Sequence, residues 1–258
     1  MIIQEATVLA NERIGLRYYA LTISAPQISV SARPGQFLMI APMPGMEPFL
    51  KRPLGVNVID MARGQIGVVY RVVGYGTRLL TERRVGETLQ VLGPLGNGWK
   101  LTQGRHVLLI GGGAGIAPLL PLAVELARSG TDCEAMLGAS SAQEVPCVEE
   151  FATLARLSVA TLDGSRGALG QVSSWLPAQP IAYDMVYCCG PHPLMRKVAA
   201  WAKRHDLPCQ VSLEEHMGCG FGVCMGCACA VKGAEKEEIV YKRVCCEGPV
   251  FDSREVVW

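Results

Sequence analysis

The spacing Cys219-x4-Cys224-x2-Cys227, followed by the adjacent pair Cys245 and Cys246, limits this chain more than any other feature. After Cys209-Gln210-Val211-Ser212-Leu213 the composition breaks into Gly and Cys, which cannot bury a core and must be organised by a bound centre. Three thiolates on one tight loop can hold two irons from one side, the spacing of plant-type [2Fe-2S] proteins. Cys245 or Cys246 supplies the fourth. Gly218, Gly220, Gly222 and Gly226 leave backbone N–H groups free to approach the sulfides. A structural zinc site would also use four thiolates, but it favours two short C-x2-4-C pairs, and one such pairing is well formed here.

Eleven cysteines in a chain with no secretory signal fit a cytoplasmic protein that keeps its thiols reduced for metal or redox chemistry. Cys133, Cys147, Cys188, Cys189 and Cys209 are scattered, and Cys229 and Cys246 are expected to be small buried hydrophobes. Lys plus Arg (24) nearly balances Asp plus Glu (23) without a basic run, which argues against nucleic acid as a partner. Residues 107–124 carry no charge and imitate a membrane span, but Gly111, Gly112, Gly113, Gly115, Pro118 and Pro121 suit a strand, a turn and a helix start instead.

The 258 residues predict two domains and an appendage. Residues 1–101 hold short apolar runs punctuated by Pro and Gly, such as 35–40 and 66–73, and read as an antiparallel β-barrel or sandwich. Residues 102–210 change to β-α-β grammar with a doubly wound parallel sheet. Its strands are expected at 106–110, 133–137, 158–161 and 185–189, with helices ending near Ser129-Gly130 and spanning about 193–205. Residues 211–258 form the small cysteine-bearing domain.

Gly111-Gly112-Gly113-Ala114-Gly115-Ile116-Ala117-Pro118 follows a buried strand and opens a helix, so its amides can face a pyrophosphate. Cys189-Gly190-Pro191 ends a later strand at the same carboxyl edge, where ligands of such sheets bind. Arg52-Pro53-Leu54-Gly55, Tyr70-Arg71 and Gly76-Thr77 offer a guanidinium fork, a close backbone approach and a hydroxyl to a phosphate. Glu214, Glu215 and His216 read as a solvated run. The stretch Leu137-Gly138-Ala139-Ser140-Ser141-Ala142-Gln143-Glu144 has no cation for a 2'-phosphate, and Glu144 is expected to repel one, which favours NAD(H) over NADP(H).

Arg52-Pro53-Leu54, Gly74-x-Gly76-Thr77, Gly93-Pro94-Leu95-Gly96-Asn97-Gly98, the glycine turn, Cys189-Gly190-Pro191 and the Ser212 to Cys224 segment occur in one order. This order resembles the ferredoxin-NADP reductase superfamily, and within it the electron-transfer subunits of class 1B dihydroorotate dehydrogenases. The resemblance implies FAD between barrel and sheet, contacted by Arg52, Pro53, Leu54, Gly55, Val69, Tyr70, Arg71, Gly76 and Thr77. It implies NAD(H) over Gly111, Gly112, Gly113, Gly115, Cys189 and Gly190. The family pattern Val-Cys-x-x-Gly-Pro-Val-Phe makes Cys245, with Cys219, Cys224 and Cys227, the implied ligand set. Where Gly55 stands, relatives commonly carry Ser or Thr. The resemblance further implies a partner FMN subunit that oxidises dihydroorotate in pyrimidine biosynthesis, in a heterotetramer of two chains of each kind. Met217, Phe221, Val223 and Met225 are the expected docking residues. The alternative is a related subunit, of the NADH-dependent ferredoxin-NADP oxidoreductase or sulfide dehydrogenase type; an all-cysteine ligand set favours the first reading.

Overall fold

Alternation of buried and exposed residues along the first strands closes a barrel. A computed structural model describes residues 1–45, 47–102, 106–179, 183–235 and 237–258. In it β1 (Ile2–Arg13), β2 (Tyr18–Ser24), β3 (Phe37–Ile40), β4 (Arg52–Asp60), β5 (Gln65–Arg71) and β6 (Thr88–Leu95) close in the order β1-β2-β5-β4-β3-β6. All of its pairings are antiparallel, with Tyr18 opposite Arg71 and Met39 opposite Pro53. Leu21, Ile23, Leu38, Ile40, Val68 and Tyr70 point inward and fill the barrel. Two short helices, α1 (Pro26–Ser29) and α2 (Tyr75–Thr81), cap its connections.

The second unit is built on continuous apolar strands, as sheets covered on both faces require. Its strands are β7 (His106–Gly112), β8 (Asp132–Ala139), β9 (Arg156–Thr161), β10 (Ala168–Leu169), β11 (Met185–Cys189) and β12 (Cys209–Ser212). Helices α3 (Leu120–Arg128), α4 (Val148–Leu154) and α5 (His192–Arg204) connect them. After β13 (Ala228–Lys232) and β14 (Ile239–Arg243) form a hairpin, β15 (Val250–Asp252) completes the sheet in the order β10-β9-β8-β7-β11-β12-β15. The six preceding strands run parallel, and β15 joins antiparallel to β12, with Phe251 opposite Val211. β12 thus crosses residue 210, and the cysteine segment is stitched into the parallel sheet through β15.

The chain winds outward from β7 in one direction through β8 and β9, and in the other through β11 and β12. The switch point therefore lies between the carboxyl ends of β7 and β11, where Gly111 stands opposite Cys189. The glycine turn does not enter an α-helix at once. Gly113–Leu119 is a 3-10 stretch containing Pro118, whose missing N–H interrupts the helical ladder, and α3 follows. The uncharged stretch at 107–124 is thus a strand, a turn and a helix start, and no helix among the described residues is long and apolar enough to cross a membrane.

One hydrophobic core runs through all three segments. Met39 and Leu92 of the barrel, Leu108 and Cys188 of the sheet, and Cys227, Cys245 and Phe251 of the cysteine segment belong to it. Packing of this kind fixes the barrel, sheet and cysteine loop relative to one another.

Candidate functional site

At the switch point the glycines are demanded by close approach. A Cβ on Gly115 would lie 2.5 Å from the Gly190 nitrogen, and one on Gly112 would lie 2.5 Å from Leu194 Cδ2. Gly113 and Gly190 have φ of 54° and 154°, which favour glycine. The structure therefore brings Gly111, Gly112, Gly113, Gly115, Cys189 and Gly190 together, as the sequence suggested. In front of them opens a cavity of about 310 Å³, lined among others by Tyr18, Arg71, Gly112, Gly113, Ser140 and Glu144.

The barrel wall meets this cleft along β4, β5 and α2. The Arg52 guanidinium lies over Gly76, where a Cβ would collide with it, and its Nη1 donates to the Leu50 carbonyl at 2.5 Å. Thr77 Oγ1 accepts from the N–H groups of Val73 and Gly74, at 3.0 and 3.2 Å, and donates to the Gly74 carbonyl. Its hydroxyl thus shapes the turn that presents Gly76 instead of standing free. Strand alternation divides β5: Val69 packs with Tyr18 and Ala117 on the sheet side, whereas Tyr70 points into the barrel and donates to Asn11 at 3.0 Å. Tyr70 therefore has only its main chain to offer a ligand in the cleft.

Pro53, Leu54 and Gly55 pair with Met39, Leu38 and Phe37. A Cβ on Gly55 would stand 3.0 Å from Pro118 Cβ, so the barrel closes on the nucleotide turn there. Arg71 lines the cavity, and its Nε is buried with no partner among the described residues, the state of a donor left for a bound group. These features fit an extended phosphate-bearing cofactor: a cation held over a glycine, an unpaired buried donor and a backbone cradle.

Sequence reasoning expected Glu144 to act as a free negative charge. It is instead 5% exposed, accepts from Arg17 at 2.9 Å and lies 3.8 Å from Arg71. Burial pushes its carboxyl up, but the hydrogen bonds from Arg17 and Ser140 and the two guanidinium charges outweigh that and hold it below the usual range. Its repulsion of a 2'-phosphate is thereby cancelled. Arg166, another cation near this edge, is paired with Glu149 at 2.8 Å.

Two further side chains join the units without any local motif. Buried Asn57 donates to the Ala117 carbonyl at 2.8 Å, holding β4 against the nucleotide turn. Asn97 donates to the carbonyls of Glu247 and Cys246, at 3.0 and 3.4 Å, and binds the turn after Cys245 to the end of β6. Asn97, in the stretch Gly93-Pro94-Leu95-Gly96-Asn97-Gly98, thus docks the cysteine segment on the barrel.

The cysteine loop lies one strand from that wall. A Cβ on Gly220 would lie 2.5 Å from Met39 Cγ, and Met39 pairs with Pro53. The thiols fall into two pairs. Burial pushes the Cys219 thiol up, but amide donors at Cys224, Phe221 and Val223 and the Cys224 thiol bring it down to about 6, favouring a thiolate. Burial and the facing Cys227 push the Cys245 thiol up to about 12. Cys245 N–H also donates to Cys227 Sγ at 3.4 Å, while the Cys246 sulfur faces Gly222. Among the described residues no three His, Cys, Asp or Glu side chains converge on one ion-sized point. Two facing pairs of thiols suit two irons better than a single tetrahedral ion. Cys229 is buried in the core and Glu214, Glu215 and His216 are exposed, as expected.

Residues 214–257 match the family described as the iron-sulfur cluster binding domain of dihydroorotate dehydrogenase B. The chain is 41% identical over 261 residues to the electron transfer subunit of dihydroorotate dehydrogenase B (NAD(+)) from Bacillus caldolyticus, covering 100% of both. It is 39% identical to the same subunit from Caldanaerobacter subterraneus, covering 98% of each. Among solved structures, it is similar to an NADH-dependent reduced ferredoxin-NADP oxidoreductase, with a TM-score of 0.87 and 32% identity over 98% of this chain and 90% of that one. A ferredoxin NADP+ reductase from Neisseria gonorrhoeae shares the fold at a TM-score of 0.68 and 17% identity, over 79% of this chain and 91% of that one. With a barrel and sheet meeting at a switch point, a three-cysteine loop and the Cys245 turn beside them, and 41% identity over its full length to such a subunit, the chain belongs to the family of electron transfer subunits of dihydroorotate dehydrogenase B.

Proposed function

We propose that this chain carries electrons from a partner subunit that oxidises dihydroorotate on FMN to NAD+, through a [2Fe-2S] cluster and FAD, in cytoplasmic pyrimidine biosynthesis. The observation that carries this reading is the placement of Gly220, within the cysteine loop, against Met39, one strand from Arg52, Pro53 and Leu54. Nicotinamide exchanges a hydride, an iron-sulfur centre exchanges single electrons, and a flavin between them can do both.

The chain's own residues perform the positioning. Cys219, Cys224, Cys227 and Cys245 would hold the [2Fe-2S] cluster, which supplies one-electron transfer. Arg52, Gly76, Val69 and Arg71, with the main chain at Pro53, Leu54, Gly55 and Tyr70, cradle the FAD, and Thr77 fixes the turn beneath it. The amides at Gly111, Gly112, Gly113 and Gly115 and the Cys189-Gly190 edge receive NAD(H). Asn57 and Pro118 keep the two cofactor beds in contact.

Phe221, Val223 and Met225 are 45%, 74% and 50% exposed around the cluster loop, whereas Met217 packs partly on the core. An apolar rim of this kind beside a redox centre suits a protein partner, here the FMN subunit in a heterotetramer of two chains of each kind. Co-expression with that subunit tests the reading. Phe221→Asp or Met225→Asp should abolish co-purification and dihydroorotate-driven NADH formation, while flavin content and NADH-driven reduction of an artificial acceptor persist. Full partner-dependent activity in both variants would contradict the docking surface.

A further inference from the structure

The turn that carries Cys245 closes on Arg243. The Arg243 carbonyl accepts from the N–H groups of Cys246, Glu247 and Gly248 at 3.3, 2.9 and 3.3 Å. Its own N–H donates to Glu247 Oε2 at 2.6 Å, and its Nε donates to the same oxygen at 3.0 Å. The rest of the guanidinium reaches across to the ligand loop, where Nη1 donates to the Gly222 carbonyl at 2.6 Å. Gly222 is the tip of that loop. It has φ of 93°, and a Cβ on it would lie 2.9 Å from Cys246 Sγ and 3.6 Å from Arg243 Nη1. A cation is thus held between the ligand loop and the turn that carries Cys245, paired on its other side with an anion.

An iron-sulfur centre becomes more negative by one charge when it takes up an electron. A fixed cation beside it stabilises the reduced form and raises its potential, and a fixed anion does the opposite. We propose that Arg243 and Glu247 form an opposed charge pair that sets the reduction potential of the cluster, Arg243 raising it and Glu247 restraining that rise. The inference rests on the assignment of Cys219, Cys224, Cys227 and Cys245 as ligands. The simpler role for Arg243 is as a brace for the turn. A brace predicts cluster loss on removing either partner, with no opposed shifts.

A redox titration of the cluster's EPR signal in the holoprotein separates the two. Arg243→Gln should shift the midpoint potential downward, Glu247→Gln should shift it upward, and Arg243→Lys, which keeps the charge and loses the fork, should stay near wild type. If Arg243→Gln does not assemble a cluster, an upward shift in Glu247→Gln with Arg243→Lys near wild type still supports the inference. Shifts in the same direction, or unmoved potentials with intact clusters, would overturn it. Absence of a [2Fe-2S] signal from the wild-type protein would instead overturn the ligand assignment, and this inference with it.

Discussion

Gly220 of the cysteine loop rests on Met39 of barrel strand β3 so closely that a Cβ would lie 2.5 Å from Met39 Cγ. Gly220 also has φ of 80°, a conformation that costs an L side chain about 1–2 kcal/mol. Gly220→Ala should therefore lower stability by at least that amount and push the loop off the barrel. Thermal unfolding should show the loss, and the cluster should be reduced by NADH more slowly while flavin reduction is unchanged. Wild-type rates and stability would show that the loop does not depend on this contact.

Of the two grounds the sequence offered for NAD(H) preference, the lack of a cation remains and the repulsion by Glu144 does not. Glu144 is neutralised by Arg17 and Arg71, so repulsion does not select against a 2'-phosphate. Apart from Arg71, which lies against Glu144, the cavity residues Ser140, Leu162, Gln171 and Ser173 supply no cation to hold one, and Arg166 is engaged by Glu149. Steady-state kinetics should give a kcat/KM for NADH at least about tenfold above that for NADPH, a difference of about 1.4 kcal/mol. Equal or better use of NADPH would mean that a cation swings into this site.

Cys245 faces Cys227, whereas Cys246 faces Gly222. Cys245→Ser should therefore lose most of its iron and sulfide, and Cys246→Ser should keep both, as read by metal analysis of the purified proteins. The reverse pattern would exchange the two assignments.

What was legible in the sequence was whatever depends on neighbours along the chain. The C-x4-C-x2-C spacing places three thiols on one loop, and the glycine turn after β7 marks the switch point, because both are local geometries. The orientation of single side chains needed the fold. Tyr70 lies beside Arg71 in sequence, yet strand alternation sends it into the barrel to Asn11. Thr77 looked like a phosphate ligand, but its hydroxyl is taken up by the Gly74 turn. The Arg17 and Glu144 pair spans 127 residues, and Asn57 reaches Ala117 across 60. No periodicity or motif announces contacts of that range, which exist only once barrel and sheet have docked.

The most direct test is anaerobic reduction of the purified protein by NADH, followed by visible absorption and low-temperature EPR. The account expects colour beyond that of flavin, bleaching of both contributions on adding NADH, and an EPR signal of a reduced [2Fe-2S] centre that is lost in Cys245→Ser. A protein whose colour is fully explained by flavin, with zinc bound to its thiols and no paramagnetic centre after reduction, would contradict it.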